Sequence, residues 1–151
     1  MVRGVSFEIS QKTAYTLSDI FKTVDMEQFY WYVVQAQTET WDKPFGEDFF
    51  KKEIYSGNEF SKTIQEEHFI VFLKLQAYPC LKNFQNISIY SDFAKSNCQL
   101  ILLIYDCSFV EVYAKNQAIL QGIFQRASKM CCENLTYITD QSDVRTKMDI
   151  R

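Results

Sequence analysis

The sequence predicts an α+β fold: a single two-layer domain built on a mixed sheet of about six strands, with two main helices and short extra helices. Three observations lead there. At 151 residues the chain has the common size of one domain and can bury a core without disulfides or metal. Stretches of period-two alternation are interspersed with stretches of helical periodicity along its length. Aromatic residues reach 16%, with 13 Phe and 9 Tyr, a surplus that suits pleated sheets, while 4 Gly and 2 Pro leave little room for disordered linkers. No repeat or low-complexity tract divides the chain. It therefore reads as one unit over residues 1–139, followed by a polar, loose C-terminal tail over residues 140–151.

Residues 4–9 alternate, with Val5, Phe7 and Ile9 on one face, and form the opening strand. Ser10 is placed to cap a helix whose Ala14, Leu17, Ile20, Phe21 and Val24 make one apolar stripe. Phe29 to Val34 is aromatic and β-branched without a polar break, which predicts a strand covered on both faces or contributing to a pocket. Between 35 and 68 the pattern weakens, and two short helices are expected near 46–52 and 58–66.

Phe69 to Ala77 returns to strand and ends at Tyr78-Pro79, where proline removes a backbone donor. Its second face turns polar at Lys74 and Gln76, as if the strand ran out from under a covering helix. Ser91 and Asp92 can cap a short helix through Lys95. Cys98 to Tyr105 is apolar on both faces and so central, and Asp106-Cys107-Ser108 turns it into Phe109 to Ala114 as a hairpin. Asn116 caps the second main helix, striped by Ile119, Leu120, Ile123, Phe124, Ala127 and Met130; Asn134 ends it and Leu135 to Thr139 is the last strand. A hairpin beside crossover helices implies the mixed sheet, with helices on one face.

Four stretches carry a resemblance: Arg3-Gly4-Val5-Ser6-Phe7-Glu8-Ile9, Leu75-Gln76-Ala77-Tyr78-Pro79, Leu102 to Asp106 running into Phe109 to Tyr113, and Tyr137-Ile138-Thr139-Asp140. Together they resemble an uncharacterised family of small proteins from spore-forming Gram-positive bacteria, a domain of unknown function. The resemblance spans nearly the whole chain and implies a cytosolic bacterial protein. It implies no activity, and no site residues carry over from it.

Charge narrows the partners. With 16 basic against 19 acidic residues and a net charge of −3, no basic cluster offers a face for nucleic acid. Arg3, Glu8, Lys12 and Asp19 interrupt any export signal or membrane span at the start, so a cytoplasmic location is expected, with the five cysteines as free thiols.

Catalytic chemistry finds no constellation. His68, the one histidine, lies beside Glu66 and Glu67 at a helix-to-strand junction, where a surface position is expected rather than a Cys–His pair with Cys80, Cys98 or Cys107. Cys131 and Cys132 are adjacent and the other cysteines widely spaced, which does not fit a zinc site; one of the pair should pack inward and the other face solvent. Glycine-rich phosphate loops are absent. No catalytic residue, metal ligand or cofactor is therefore assigned.

The remaining signal is aromatic. Phe29 and Trp31 fall on one face of their strand and Tyr30 and Tyr32 on the other, with Trp41 further on in the poorly patterned region. Tyr30, Trp31, Tyr32 and Trp41 are the candidate ligand- or partner-binding residues, against the plainer reading that they pack a core. The expected function is a non-enzymatic protein-interaction or regulatory domain of immunity-protein type, its partner another protein. The alternative is a small-molecule-binding domain or enzyme with a pocket near Trp31 and Trp41.

Overall fold

A computed structural model describes residues 1–41, 49–143, 145 and 147–150. Its strands are β1 (Val2–Glu8), β2 (Tyr30–Val33), β3 (Glu39–Thr40), β4 (Ile54–Tyr55), β5 (Ile70–Tyr78), β6 (Leu100–Tyr105), β7 (Phe109–Ala114) and β8 (Glu133–Thr139). Among the described residues four α-helices accompany them: α1 (Thr16–Ile20), α2 (Gly57–Thr63), α3 (Tyr90–Lys95) and α4 (Gln117–Ser128). The sheet runs β4-β2-β5-β6-β7-β1-β8, with β3 continuing the β2 side of β5.

The α+β class holds, and the expected mixed sheet of six strands becomes an eight-stranded sheet whose strand ladders are all antiparallel among the described residues. β7 and β8 do run parallel to each other, joined by α4. However, β1 lies between them, pairing Gly4 with Tyr113 on one side and with Ile138 on the other. The crossover that suggested a parallel pair is thus split by the first strand.

Only one of the two expected main helices is long. Asn116 caps α4 by accepting from the amides of Ala118 and Ile119, as its position predicts. Asn134 does not end this helix; it lies in β8 with φ 54°. The first helix shrinks to Thr16–Ile20 because residues 10–15 bond elsewhere. The Ala14 carbonyl accepts from His68 N at 2.7 Å, and the Gln11 side chain pairs with β5.

Of the two helices expected between 35 and 68, the second appears as α2, closed by a capping box between Ser56 and Glu59. Residues 46–48 of the first lie outside the described residues, and 49–52 are not helical. Gly57 opens α2 where any Cβ would lie 2.4 Å from the Met26 carbonyl oxygen, so only glycine lets the helix approach that turn.

The sheet is covered on both faces, not one. α1, α2 and α4 cover a large core that takes Leu73, Leu75 and Ala77 from β5 and Leu100, Leu102 and Ile104 from β6. Opposite it, residues 79–98 and the C-terminal segment cover a second core containing Tyr78, Phe93, Leu103, Tyr113 and Met148. Lys74 and Gln76, expected to emerge into solvent, are completely buried there. Their polar groups have partners: Lys74 Nζ donates to the Ile87 carbonyl and to Asp149 Oδ1, and Gln76 accepts from Ile87 N while donating to Tyr78 Oη and the Gln85 carbonyl.

The expected loose tail is therefore a strap over its described part. Met148 is 1% exposed, and Asp149 Oδ1 also accepts from Gln37 and Asn86. Burial opposes ionisation of Asp149, but these donors outweigh it and hold the carboxyl well below the usual range. Earlier in the segment, Asp143 accepts from Arg3 and Tyr113, and Arg145 pairs with Glu111 at 2.6 Å.

Candidate interaction cleft

At the end of the sheet where β5 begins, three chain segments converge: residues 9–11 leaving β1, Trp41 following β3, and the β6–β7 turn. Ile9 N donates to the Ser108 carbonyl at 2.8 Å, and Trp41 N donates to the Phe69 carbonyl at 2.8 Å. In the turn, Asp106 and Cys107 take φ of 53° and 64°, a left-handed pair that twists with the hairpin. Cys107 tolerates it because both its peptide groups are tied: its N–H donates to the Val71 carbonyl at 3.1 Å, and its carbonyl accepts from Gln11 Nε2 at 2.8 Å.

Gln11 is the joint of this corner. Its Nε2 donates to the carbonyls of Ile70 and Cys107, and its Oε1 accepts from Ile70 N at 2.8 Å and from the Thr16 hydroxyl at 3.0 Å. Both donors and both acceptor sites of the amide are used. The side chain acts as a short extra strand against β5, so it forms a wall without spare hydrogen-bonding capacity.

Between these segments lies an open cleft of about 380 Å³, lined by Ser10, Gln11, Trp41, Phe69, Cys107 and neighbours on β5. Its surface is mainly apolar. Trp41 is 75% exposed and Phe69 42% exposed, a pair of large apolar side chains left at the surface beside a cavity.

The four aromatic candidates separate. Trp31 is completely buried: its indole N–H donates to the Met26 carbonyl at 3.0 Å and its ring stacks on Phe60, centroids 5.2 Å apart. It is a core residue, which corrects its assignment to a binding site. Tyr30 and Tyr32 are half-buried, and Tyr32 meets the Phe84 ring edge-on at 6.1 Å. Burial, with Glu53 nearby, pushes the Tyr32 hydroxyl pKa up. Trp41 alone of the four lines the cleft.

The pocket expected near both tryptophans is divided by distance. Trp31 pairs with Ala77 while Trp41 bonds at Phe69, roughly 26 Å away along β5. Gln11, Phe69 and Cys107 were not among the binding candidates read from the sequence. The available signal was that the residue opening one strand and the turn between two others must meet at one end of an antiparallel sheet.

His68 is also corrected, from a surface position to a buried one. Its Nε2 accepts from Leu17 N at 3.0 Å, and Nδ1 lies 2.7 Å from the Glu66 carbonyl, so Nδ1 carries the proton and the ring is neutral. Burial lowers its pKa. This histidine supplies the acceptor that opens α1.

All five cysteines are free thiols; Cys131 is exposed and Cys132 partly buried, its thiol donating to the Ala127 carbonyl. Burial raises the Cys98 thiol pKa to about 12, leaving it protonated and inert. Among the described residues no group of three or more His, Cys, Asp or Glu side chains could hold a metal ion, and no helix is long and apolar enough to cross a membrane.

This antiparallel α+β domain with its open apolar cleft belongs to a family of proteins of unknown function. The family model, described as "Protein of unknown function (DUF2691)", matches residues 2–149. The chain is similar to the uncharacterized protein YncE of Bacillus subtilis (strain 168), with 30% identity covering 99% of this chain and 100% of that protein. No solved structure matches.

Proposed function

We propose that this chain is a non-enzymatic protein-interaction domain whose contact surface centres on Trp41. One observation carries the reading: a tryptophan 75% exposed beside Phe69, over an apolar cleft. Tryptophan is among the residue types that most often anchor protein interfaces, and a lone solvated indole contributes little to a fold. The His68 ring, engaged at Nε2 by Leu17 N of α1 and at Nδ1 by the Glu66 carbonyl, supports the non-enzymatic part. The reading places the protein in the cytoplasm of a spore-forming Gram-positive bacterium, supported by its free thiols and its Bacillus relative.

The test is a photo-crosslinking amino acid at position 41, compared with the same group at Leu81, an exposed apolar position away from the cleft. Irradiation in the native cytosol should give a discrete protein adduct from position 41 and not from position 81. Absence of an adduct at 41, or the same adducts from both, would overturn the reading.

The cleft's volume favours a second reading, because about 380 Å³ lies within the range of small-molecule sites. Under that reading a metabolite panel would raise the thermal midpoint of the native chain and leave Trp41→Ala unmoved.

A further inference from the structure

The Trp41 cleft adjoins a second one, and Ser10 and Gln11 line both. The second, about 300 Å³, passes over Lys12, Thr13 and Asp19 to Arg126 and Lys129 at the end of α4. Its charge runs against that of the chain. The protein carries a net −3, yet three cations here face one carboxylate.

That carboxylate is already engaged. Asp19 accepts from the Thr13 hydroxyl at 2.7 Å and lies 3.6 Å from the Arg126 guanidinium, which also donates to the Asp19 carbonyl at 2.9 Å. Asp19 and Arg126 thus neutralise each other. Lys12 and Lys129, both exposed, make no ion pair among the described residues, so their charges stand uncompensated along the cleft.

We infer that the two clefts form one trough that receives an extended acidic segment of a partner protein. An aromatic or aliphatic side chain of that segment sits against Trp41 and Phe69, and carboxylates beside it lie along Lys12 and Lys129. This rests on the protein-interaction reading and adds the chemistry of the partner.

Three features select this occupant. The apolar and cationic halves share a wall, and an extended peptide advances about 3.3–3.6 Å per residue, so an anchor and neighbouring carboxylates reach both halves within a few residues. The Gln11 side chain in that wall is inert toward a ligand, because it has spent its donors and acceptors on Ile70, Cys107 and Thr16. Discrimination then comes chiefly from apolar fit on one side and charge on the other. Two uncompensated lysines are too few to hold a nucleic-acid backbone but suffice to select an acidic segment and speed its encounter.

The test is selection of short random peptides on the immobilised native chain, counter-selected on Trp41→Ala. Recovered peptides should carry an aromatic or aliphatic residue flanked by Asp or Glu. Their affinity, read by fluorescence polarisation, should fall about tenfold on Lys12→Glu with Lys129→Glu, since several exposed ion pairs change sign together. Converting the peptide's Asp and Glu to Asn and Gln, or raising the ionic strength, should weaken binding similarly. Both lysines are exposed, so an unchanged thermal midpoint will show that the double variant is folded.

Peptides that depend on Trp41 but show no acidic bias, and that ignore the lysine reversal, would overturn the inference while leaving the interaction reading intact. Failure to recover any Trp41-dependent peptide would overturn both. Saturable binding of decanoate, with no acidic peptide recovered, would overturn the inference in favour of a small amphipathic acid.

Discussion

Trp31 and Trp41 belong to one aromatic-rich region of the sequence, yet one is enclosed by Phe21, Phe29 and Phe60 and the other stands in solvent. The difference lies in what each strand meets. β2 runs between β4 and β5 beneath α2, so its inward positions are sealed. Trp41 follows β3 at the end of β5 and stands over the open cleft, 75% exposed. Residue type says how much area a side chain can bury, and the position of its strand decides whether it does.

The comparison is sharpest in stability. Trp31→Ala should lower unfolding free energy by about 3–5 kcal/mol, because it empties a large stacked site and leaves the Met26 carbonyl with only the longer bond from Phe29 N at 3.4 Å. Denaturant titration measures it, and a loss below about 1 kcal/mol would mean that α2 does not seal the core as described.

Breaking the strap should rank next. Asp149→Ala leaves the buried Lys74 ammonium without its counter-ion and should cost about 3 kcal/mol. Lys74→Met together with Asp149→Ala should recover much of that loss, since a packed apolar pair removes the stranded charge.

The wall of the cleft gives an intermediate effect. Gln11→Ala should cost about 1–2 kcal/mol, since the Ile70 and Cys107 groups lose their partners, and hydrogen exchange at Ile70 should accelerate. If Ile70 remains as protected as the centre of β5, the amide is not the joint described here.

His68 tests the same corner through pH. Its folded pKa is depressed, so the unfolded chain binds the proton more readily, and the ring's contribution is present above about 6.5 and lost as pH falls through the folded value. The denaturation midpoint should decline between about pH 7 and pH 5 in the native chain, and His68→Phe should lack that part of the slope.

Trp41→Ala should change stability least, within about 0.5 kcal/mol. A soluble quencher should reach Trp41 and spare Trp31, so the variant's remaining fluorescence should resist quenching. A large loss of stability would place Trp41 in the core and remove the basis for the interaction reading.

How much of this was legible follows from what periodicity can encode. β1, the β6–β7 hairpin, the Asn116 cap and most of α4 are local, and each is written within its own residues. Lys74 and Gln76 were misread because their partners, Asp149 and the 85–87 segment, are supplied from elsewhere in the chain. A polar side chain signals a solvated face only until another segment brings it a matching group. The shortened α1 has the same cause, since Gln11 and Ala14 bond to Ile70 and His68 rather than to the next helical turn. At the cleft, Trp41 was legible as an unusual residue; the distant Phe69, Cys107 and Lys129 that complete the trough were not.

The split crossover constrains how the chain reaches its fold. β1 is made before both strands that flank it, yet its outer edge is closed only when residues 133–139 arrive, pairing Gly4 with Ile138. Arg3 is then locked to Asp140 and Asp143. Until those residues emerge, a nascent chain carries an open strand edge, the kind of template on which unfinished chains pair with one another. Closure of so large a loop makes folding slow for a chain of this size. A chain truncated before β8 should accumulate as aggregate rather than as a smaller folded domain.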